Sequence, residues 1–392
     1  MSAHALEVKQ ASVEEVPDFL FMSAHRCLRA TGVFTQISTP AAGGEHSDSL
    51  FQHAVQDALN RARKAGLARP LIMGAIPFDV TQPSCLYVPH QYEFFARPRV
   101  ALDSLQALAP LHVLTARSVP DEQGFKAAVR QAIANFRHSD IRKAVLSRVF
   151  ELEAAQPVVV EQILARLQAQ NPTAYHFRVP LGGGVELLGA SPELLLRKVA
   201  GQIFSNPLAG SAKRQADAQV DQLVSQALLA SSKDAYEHRL VIDDIRRVLA
   251  PHCAQLDVPE APALLSTAAM WHLSTAIQGQ LHDPQTSVLQ LACQLHPTPA
   301  VCGFPTRLAR KLIALVEPFE RGLFSGMVGW CDAEGNGEWV VTIRCGTVQG
   351  RLIRLFAGAG IVEASCPDAE WAETEAKLGT MRNAFGLSQG GA

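Results

Sequence analysis

The chain lacks most of the features that would assign a sequence to a class at first sight. Its eight cysteines (Cys27, Cys85, Cys253, Cys293, Cys302, Cys331, Cys345 and Cys366) contain no CxxC pair, and its 13 histidines show no HxxxH or similar ligand spacing. A zinc site is therefore not expected, and thiols scattered through a chain this long read as reduced core or loop cysteines of a cytoplasmic protein. The longest apolar runs, such as Leu71–Ile76 and Leu312–Val316, fall far short of the ~20 residues that span a bilayer. The opening MSAHALEVKQ lacks the basic-then-apolar pattern of a signal peptide. Neither sign of charge is in excess: 35 basic side chains against 37 acidic ones leave a formal net charge of −2. That balance gives no electrostatic reason to expect nucleic acid or a membrane surface as partner. No internal repeat is present, and the trailing residues 387–392, ending in SQGGA, are expected to form a disordered tail.

What the chain does have is apolar mass: 48% hydrophobic and 18% charged residues over 392 positions predict a sizeable core, enough for two or three ordinary domains or one large enzyme domain. A single catalytic domain over 1–392 is the expectation once the motifs below are taken in. The softest boundary is Thr115–Gly124, where Pro, Gly and charges collect, dividing an N-terminal sub-region (1–118) from the rest (119–386). Periodicity predicts helices over Leu50–Ala65, around Phe125–Phe136, over Val158–Ala169, roughly over Val220–Leu249, and over Asp368–Phe385. Strand patterns cover Phe19–Met22, Leu71–Ile76 and Val145–Leu152. Two hairpins are expected, Tyr175–Val179 with Val185–Gly189 about Gly182-Gly183-Gly184, and Met327–Cys331 with Trp339–Cys345 about Glu334–Gly337. Hairpins in place of regular βα alternation argue for an α+β fold with largely antiparallel sheets.

Two helical segments carry acid pairs spaced i, i+3. Asp234 and Glu237 share one face above the apolar stripe Val241, Ile245 and Val248. Glu370, Glu373 and Lys377 share another, while Trp371, Leu378, Met381 and Phe385 would anchor that helix from a different face. Each pair alone reads as a solvated surface; two pairs on facing helices could together supply the oxygen ligands that Mg²⁺ requires. Lys143 opens an apolar strand and, from its own segment, reads as a strand-end lysine reaching solvent. Glu193 follows Pro192 among leucines; partial burial there would raise its pKa and keep it protonated, while the plainer reading is a turn carboxylate capping a strand. Gly358-x-Gly360 follows a strand but lacks the third glycine and the helix of a dinucleotide site, so a close backbone approach to a carboxylate fits it better. Pro207–Arg214 sets small residues beside two cations and suits an anionic ligand. Arg344 could hold a carboxylate in bidentate fashion or form a structural salt bridge.

Nine ordered segments complete this reading: KAVLSR, GASPELLLRK, PLAGSAKR, KDAYEH, WHLST, LHPTPAVCGFP, FSGMVGWCDAEGNGEWVVTIRC, FAGAGIV and EWAETEAK. Over about residues 125–386 the chain resembles the chorismate-utilising enzymes, a family that includes isochorismate synthase, salicylate synthase and the synthase subunits for anthranilate and aminodeoxychorismate. FLFMSAHRCLRATGVF, GAIPFD and QPSCLYVP resemble the isochorismate synthases of catecholate siderophore pathways. The resemblance implies two large, mostly antiparallel sheets packed as a sandwich with helices outside. It implies Lys143 as general base on water, Glu193 as the acid for the departing hydroxyl, and Glu237 and Glu373 as Mg²⁺ ligands supported by Asp234 and Glu370. Arg344, Gly358 and Lys377 would contact substrate carboxylates, and Gly210, Ser211, His272 and Ala300 would line the ring. Lys143, where ammonia-using relatives often have Gln, and the absence of an LLES-type motif argue against amination and a glutaminase partner. Phe324 and Ser211, where salicylate synthases commonly carry Tyr and Thr, lean toward release of isochorismate. The reaction expected is a reversible, Mg²⁺-dependent isomerisation of chorismate by a cytoplasmic monomer.

Overall fold

The computed structural model describes residues 19–98 and 111–387; the expected tail lies outside them apart from Leu387. Among the described residues, hydrogen bonds join 17 strands into one continuous ladder, with a separate three-stranded sheet beside it. Every strand pairing is antiparallel. One half of the ladder runs through Gln202–Asn206, Leu194–Val199, Gly337–Val341, Met327–Asp332, Leu71–Ile76, Cys85–Phe95 and Cys27–Ile37. Phe19–Met22 then leads into the other half, through Tyr175–Gly182, Val185–Ser191, Cys345–Gln349, Leu352–Ile361 and Lys143–Ala154.

The halves close on each other over a shared apolar layer. Leu71, Met73, Ala75, Val328, Trp330 and Val340 from one half meet Phe21, Phe177, Val179, Leu187 and Phe356 from the other. Alternation along a strand sends the intervening residues outward. Thus Ile72 and Ile76 pack with Phe51, Val55 and Leu59 of the helix Leu50–Lys64, which Ser49 caps by accepting from the Gln52 N–H. On the opposite outer face, Leu152 and Leu188 pack under the helices Val160–Gln170 and Pro367–Ala384. This is the helix-covered antiparallel sandwich that the family resemblance implied. Fully burying each such leucine or phenylalanine contributes roughly 1.5–3 kcal/mol.

Strands from before residue 118 lie in the middle of the ladder, bonded to Met327–Asp332 on one side and Tyr175–Gly182 on the other. The Thr115–Gly124 stretch is the end of the strand Val113–Val119 followed by the capped start of the helix Glu122–Phe136. Two element boundaries also differ from the sequence reading. The segment read as one helix over Val220–Leu249 is two, Ala218–Ala230 and Ser232–Leu249, broken at extended Ser231. Ser231 caps the second by accepting from the Asp234 N–H, a Ser-x-x-acid capping pattern that explains the break. The strand read as Trp339–Cys345 stops at Val341; the chain crosses between sheet halves over 342–344 and resumes as Cys345–Gln349. Trp371 packs against Phe125 and beneath Arg148, apart from the Leu378, Met381 and Phe385 cluster with which it was grouped.

Candidate active site

The site's floor is the adjacent pair of strands Lys143–Ala154 and Leu352–Ile361, where Val145 faces Gly360 and Ser147 faces Gly358. Lys143 has no solvent exposure, which corrects the solvent-reaching reading. The helix Ser232–Leu249 covers it, and its Nζ lies 3.0 Å from Glu237 Oε1 without a well-aligned hydrogen bond. Gly360 makes that approach possible: a Cβ there would stand 2.0 Å from Glu237 Oε1 and 3.0 Å from Lys143 Cε. Gly360→Ala should therefore push the helix Ser232–Leu249 away from the strands Lys143–Ala154 and Leu352–Ile361, lowering stability by about 1–3 kcal/mol and activity with it. Thermal melting followed by circular dichroism, together with steady-state kinetics, checks this; wild-type values in both would show that the close contact is not needed.

Glu193 lies in the tight link between Val185–Ser191 and Leu194–Val199, 3% exposed. The Leu208 N–H reaches its Oε1 at 3.4 Å. Burial raises its carboxyl to about 7, against the opposing pull of that N–H, Lys143, Arg344 and Lys377. The desolvation that its leucine neighbours suggested is thus present, and the acid form is held far above the usual carboxylate range.

Small residues form the opposite wall. Leu208–Lys213 pairs with Met270–Ser274 so that Ser211 faces His272. His272 is buried, its Nε2 has no hydrogen-bond partner, and burial followed by the charges of Arg344 and Lys377 drives its pKa well below the ordinary value. It is a neutral imidazole. Arg344 occupies the crossover between sheet halves with φ 48°, in the left-handed region, and is 8% exposed. Burial lowers its guanidinium to about 10, with Glu373 and Glu193 acting the other way. Backbone strain of this kind at a non-glycine residue is retained where surroundings fix a side chain in place.

One enclosed cavity gathers these groups. Glu193, Arg344 and Lys377 line it together with Gly210, Ser211 and His272; Ala300, Gly358, Glu237 and Glu373 complete the wall. Lys143 reaches it through Glu237, whereas Asp234 and Glu370 lie just outside. A larger cavity of about 730 Å³ lies between residues 77–85 and 310–323 and contains none of the groups singled out by sequence. The sequence reading missed the residues that hold the walls. Arg321 donates to the Val145 and Val301 carbonyls, and its partner Glu317 accepts from the Ser147 N–H. His238, kept neutral by burial, bridges Ala209 O and Thr275 Oγ1. Val301, Phe324, Ser325 and Ile343 also line the cavity.

Each inner carboxylate is held by a lysine. Glu237 faces Lys143, Glu370 accepts from Lys233 at 2.7 Å, and Glu373 meets Lys377 at 2.5 Å and Ser211 Oγ at 3.0 Å. Burial pushes the Glu373 carboxyl up, but Lys377, Lys233 and Ser211 outweigh it and leave it below the ordinary value. Burial and then the charge of Glu373 raise Glu370 to about 7 against Lys233. Asp234 is tied to Ser231, and burial raises its carboxyl. Among the described residues no three acidic, histidine or cysteine side chains already converge as a metal cage. The donors nevertheless suit a hard cation: all are carboxylate oxygens, and Glu370 Oε2 is buried without a hydrogen-bond partner.

A pocket lined by Arg344 and Lys377, with the buried Glu193 carboxyl raised to about 7 and carboxylates from two helices beside it, suits a small anionic ligand. The chain belongs to the chorismate binding enzymes, whose family model matches residues 99–386. It is 45% identical over 386 residues to isochorismate synthase EntC of Escherichia coli K12, covering 98% of each chain. It is 40% identical over 372 residues to the vibriobactin-specific isochorismate synthase of Vibrio cholerae, covering 94% of this chain and 91% of that one. The crystal structure of DhbC from Bacillus anthracis superposes with a TM-score of 0.89 at 39% identity, covering 96% of this chain and 98% of that one. None of the helices described is long and apolar enough to cross a membrane.

Proposed function

We propose that the protein is an isochorismate synthase of the siderophore type, moving the ring hydroxyl of chorismate from C4 to C2. The observation that supports this reading is a cavity lined by Glu193, Arg344 and Lys377, with a second buried titratable side chain, Lys143, held behind Glu237. Water is a weak nucleophile and hydroxide a poor leaving group, so both ends of the exchange need a proton transfer. Lys143 Nζ, as the free amine, takes a proton from the water attacking C2, and Glu193, in its acid form, gives one to the hydroxyl leaving C4. Arg344 and Lys377 bind the substrate's carboxylates, and neutral His272 with Gly210, Ser211 and Ala300 packs against the ring without adding charge. The family works with a metal; here Glu237 and Glu373 would hold Mg²⁺, supported by Glu370 and Asp234. Bound Mg²⁺ supplies neutralisation of the ring carboxylate of a dianionic substrate. One chain supplies every group named, so a monomer acting without a glutaminase subunit would suffice, and the unpaired cysteines fit a cytoplasmic setting.

Incubation with chorismate and Mg²⁺, with and without ammonium, followed by chromatography, should give isochorismate alone. Chelation should stop turnover and added Mg²⁺ restore it. An aminated product, or salicylate and pyruvate from the outset, would reassign the protein within its family; full turnover after exhaustive chelation would remove the metal from the site.

A further inference from the structure

Lys233 stands between the acidic cluster and the outside of the molecule. It sits in the first turn of the helix Ser232–Leu249, and its Nζ donates to Glu370 Oε1 at 2.7 Å. Its charge also acts on Glu237 and Glu373. Glu370 is 1% exposed, its Oε2 makes no well-aligned hydrogen bond, and the Ser365 side chain acts on the carboxylate beside Lys233. On its other side, Lys233 lines a cleft of about 300 Å³ with Ile141, Arg142, Tyr236 and Glu363. Arg142, Tyr236 and Glu363 are exposed at its mouth, whereas the Lys233 side chain is 27% exposed. The same lysine therefore lines the cleft on one side and holds the acid behind it on the other.

We propose that Lys233 is a displaceable counter-ion: its ammonium occupies the metal's place on Glu370 and swings into this cleft as a divalent cation enters by that route. The inference rests on the metal-site reading above. A lysine ammonium is a point charge on a flexible four-carbon stem, so it can leave without moving the helix. It also neutralises only one of the clustered carboxylates, whereas a divalent cation takes several oxygen ligands at once. At the mouth, exposed Glu363 offers the displaced ammonium an anionic partner. Such competition weakens metal binding to the substrate-free protein and keeps four acids from repelling one another before the cation arrives.

Mn²⁺, followed by its electron paramagnetic resonance signal, is the probe, titrated into the full chain without and with chorismate. Lys233→Met should tighten Mn²⁺ binding to the substrate-free protein at least tenfold, while Lys233→Arg, which keeps a cation, should leave it near wild type. Unchanged or weaker binding by a folded Lys233→Met protein would overturn the counter-ion role. Glu363→Lys sets a cation at the exposed mouth without touching the cluster. It should slow Mn²⁺ uptake in stopped-flow mixing several-fold, and an unaltered rate would overturn the route. If wild type fails to take up Mn²⁺ even with chorismate present, the metal-site reading itself fails and this inference falls with it; binding only with chorismate, and no gain in Lys233→Met, sinks the inference alone.

Discussion

Lys143→Ala should reduce isochorismate formation by about 10²–10⁴-fold, the usual effect of removing a positioned general base. The experiment needs a control, because Lys143 is buried against Glu237. Removing one partner of a buried ion pair costs about 3–5 kcal/mol, since the other charge is left uncompensated. Loss of activity in Lys143→Ala could thus arise from loosening alone. The double variant Lys143→Met/Glu237→Gln separates the two causes in the stability assay: it removes the stranded charge and should recover most of the melting temperature. A further variant, Lys143→Arg, keeps a cation against Glu237 but cannot release its proton at neutral pH. It should stay folded and lose activity by the same 10²–10⁴-fold. Near-normal turnover by Lys143→Arg would show that the water is activated by another group.

Glu193→Gln should be as damaging, with a distinct pH signature. The amide fills the carboxyl's space but cannot deliver a proton to the leaving hydroxyl. On the proposed mechanism the acid form is the active one, and burial holds its carboxyl at about 7. Glu193 is protonated below that value, so its own contribution to kcat/KM in this direction is present at lower pH and is lost as pH rises through about 7, while the base adds a limb of the opposite slope. A dianionic substrate nearby would push the fall to higher pH in kcat. Glu193→Gln should lose at least tenfold, or ~1.4 kcal/mol of barrier, and its residual activity should lack that descending limb. A Glu193→Gln profile of the same shape as wild type, or a Glu193→Gln variant with full activity, would exclude Glu193 as the acid.

The two proposed proton carriers were unequally legible in the sequence. Glu193 sits among Leu187, Leu188, Leu194, Leu195 and Leu196, so local composition already pointed to a desolvated carboxyl. Lys143 gave no such signal. Its burial depends on Glu237, 94 positions away, and on Gly360, whose missing side chain makes room for both. Ser231 and Asp234 show the reverse case: their spacing was a legible capping pattern, yet the long apolar periodicity on either side ran two helices together. Arg344 was readable as a strand cation and misplaced by a few residues. No local pattern announces that a chain will leave one sheet half and join the other at 342–344.

By itself the sequence determined the α+β class, most element positions, the acid pairs on their helices and, through nine ordered motifs, the family and its chemistry. Those are properties of periodicity, turn residues and local spacing, which act within a few residues along the chain. Tertiary structure alone decided which charges face each other. It put Lys143 on Glu237, Lys233 on Glu370 and Lys377 on Glu373, and it set Arg321 to hold both walls of the cavity. Ion pairs and desolvation depend on distances of a few ångströms between segments far apart in the chain, and folding of the sandwich is what fixes those distances.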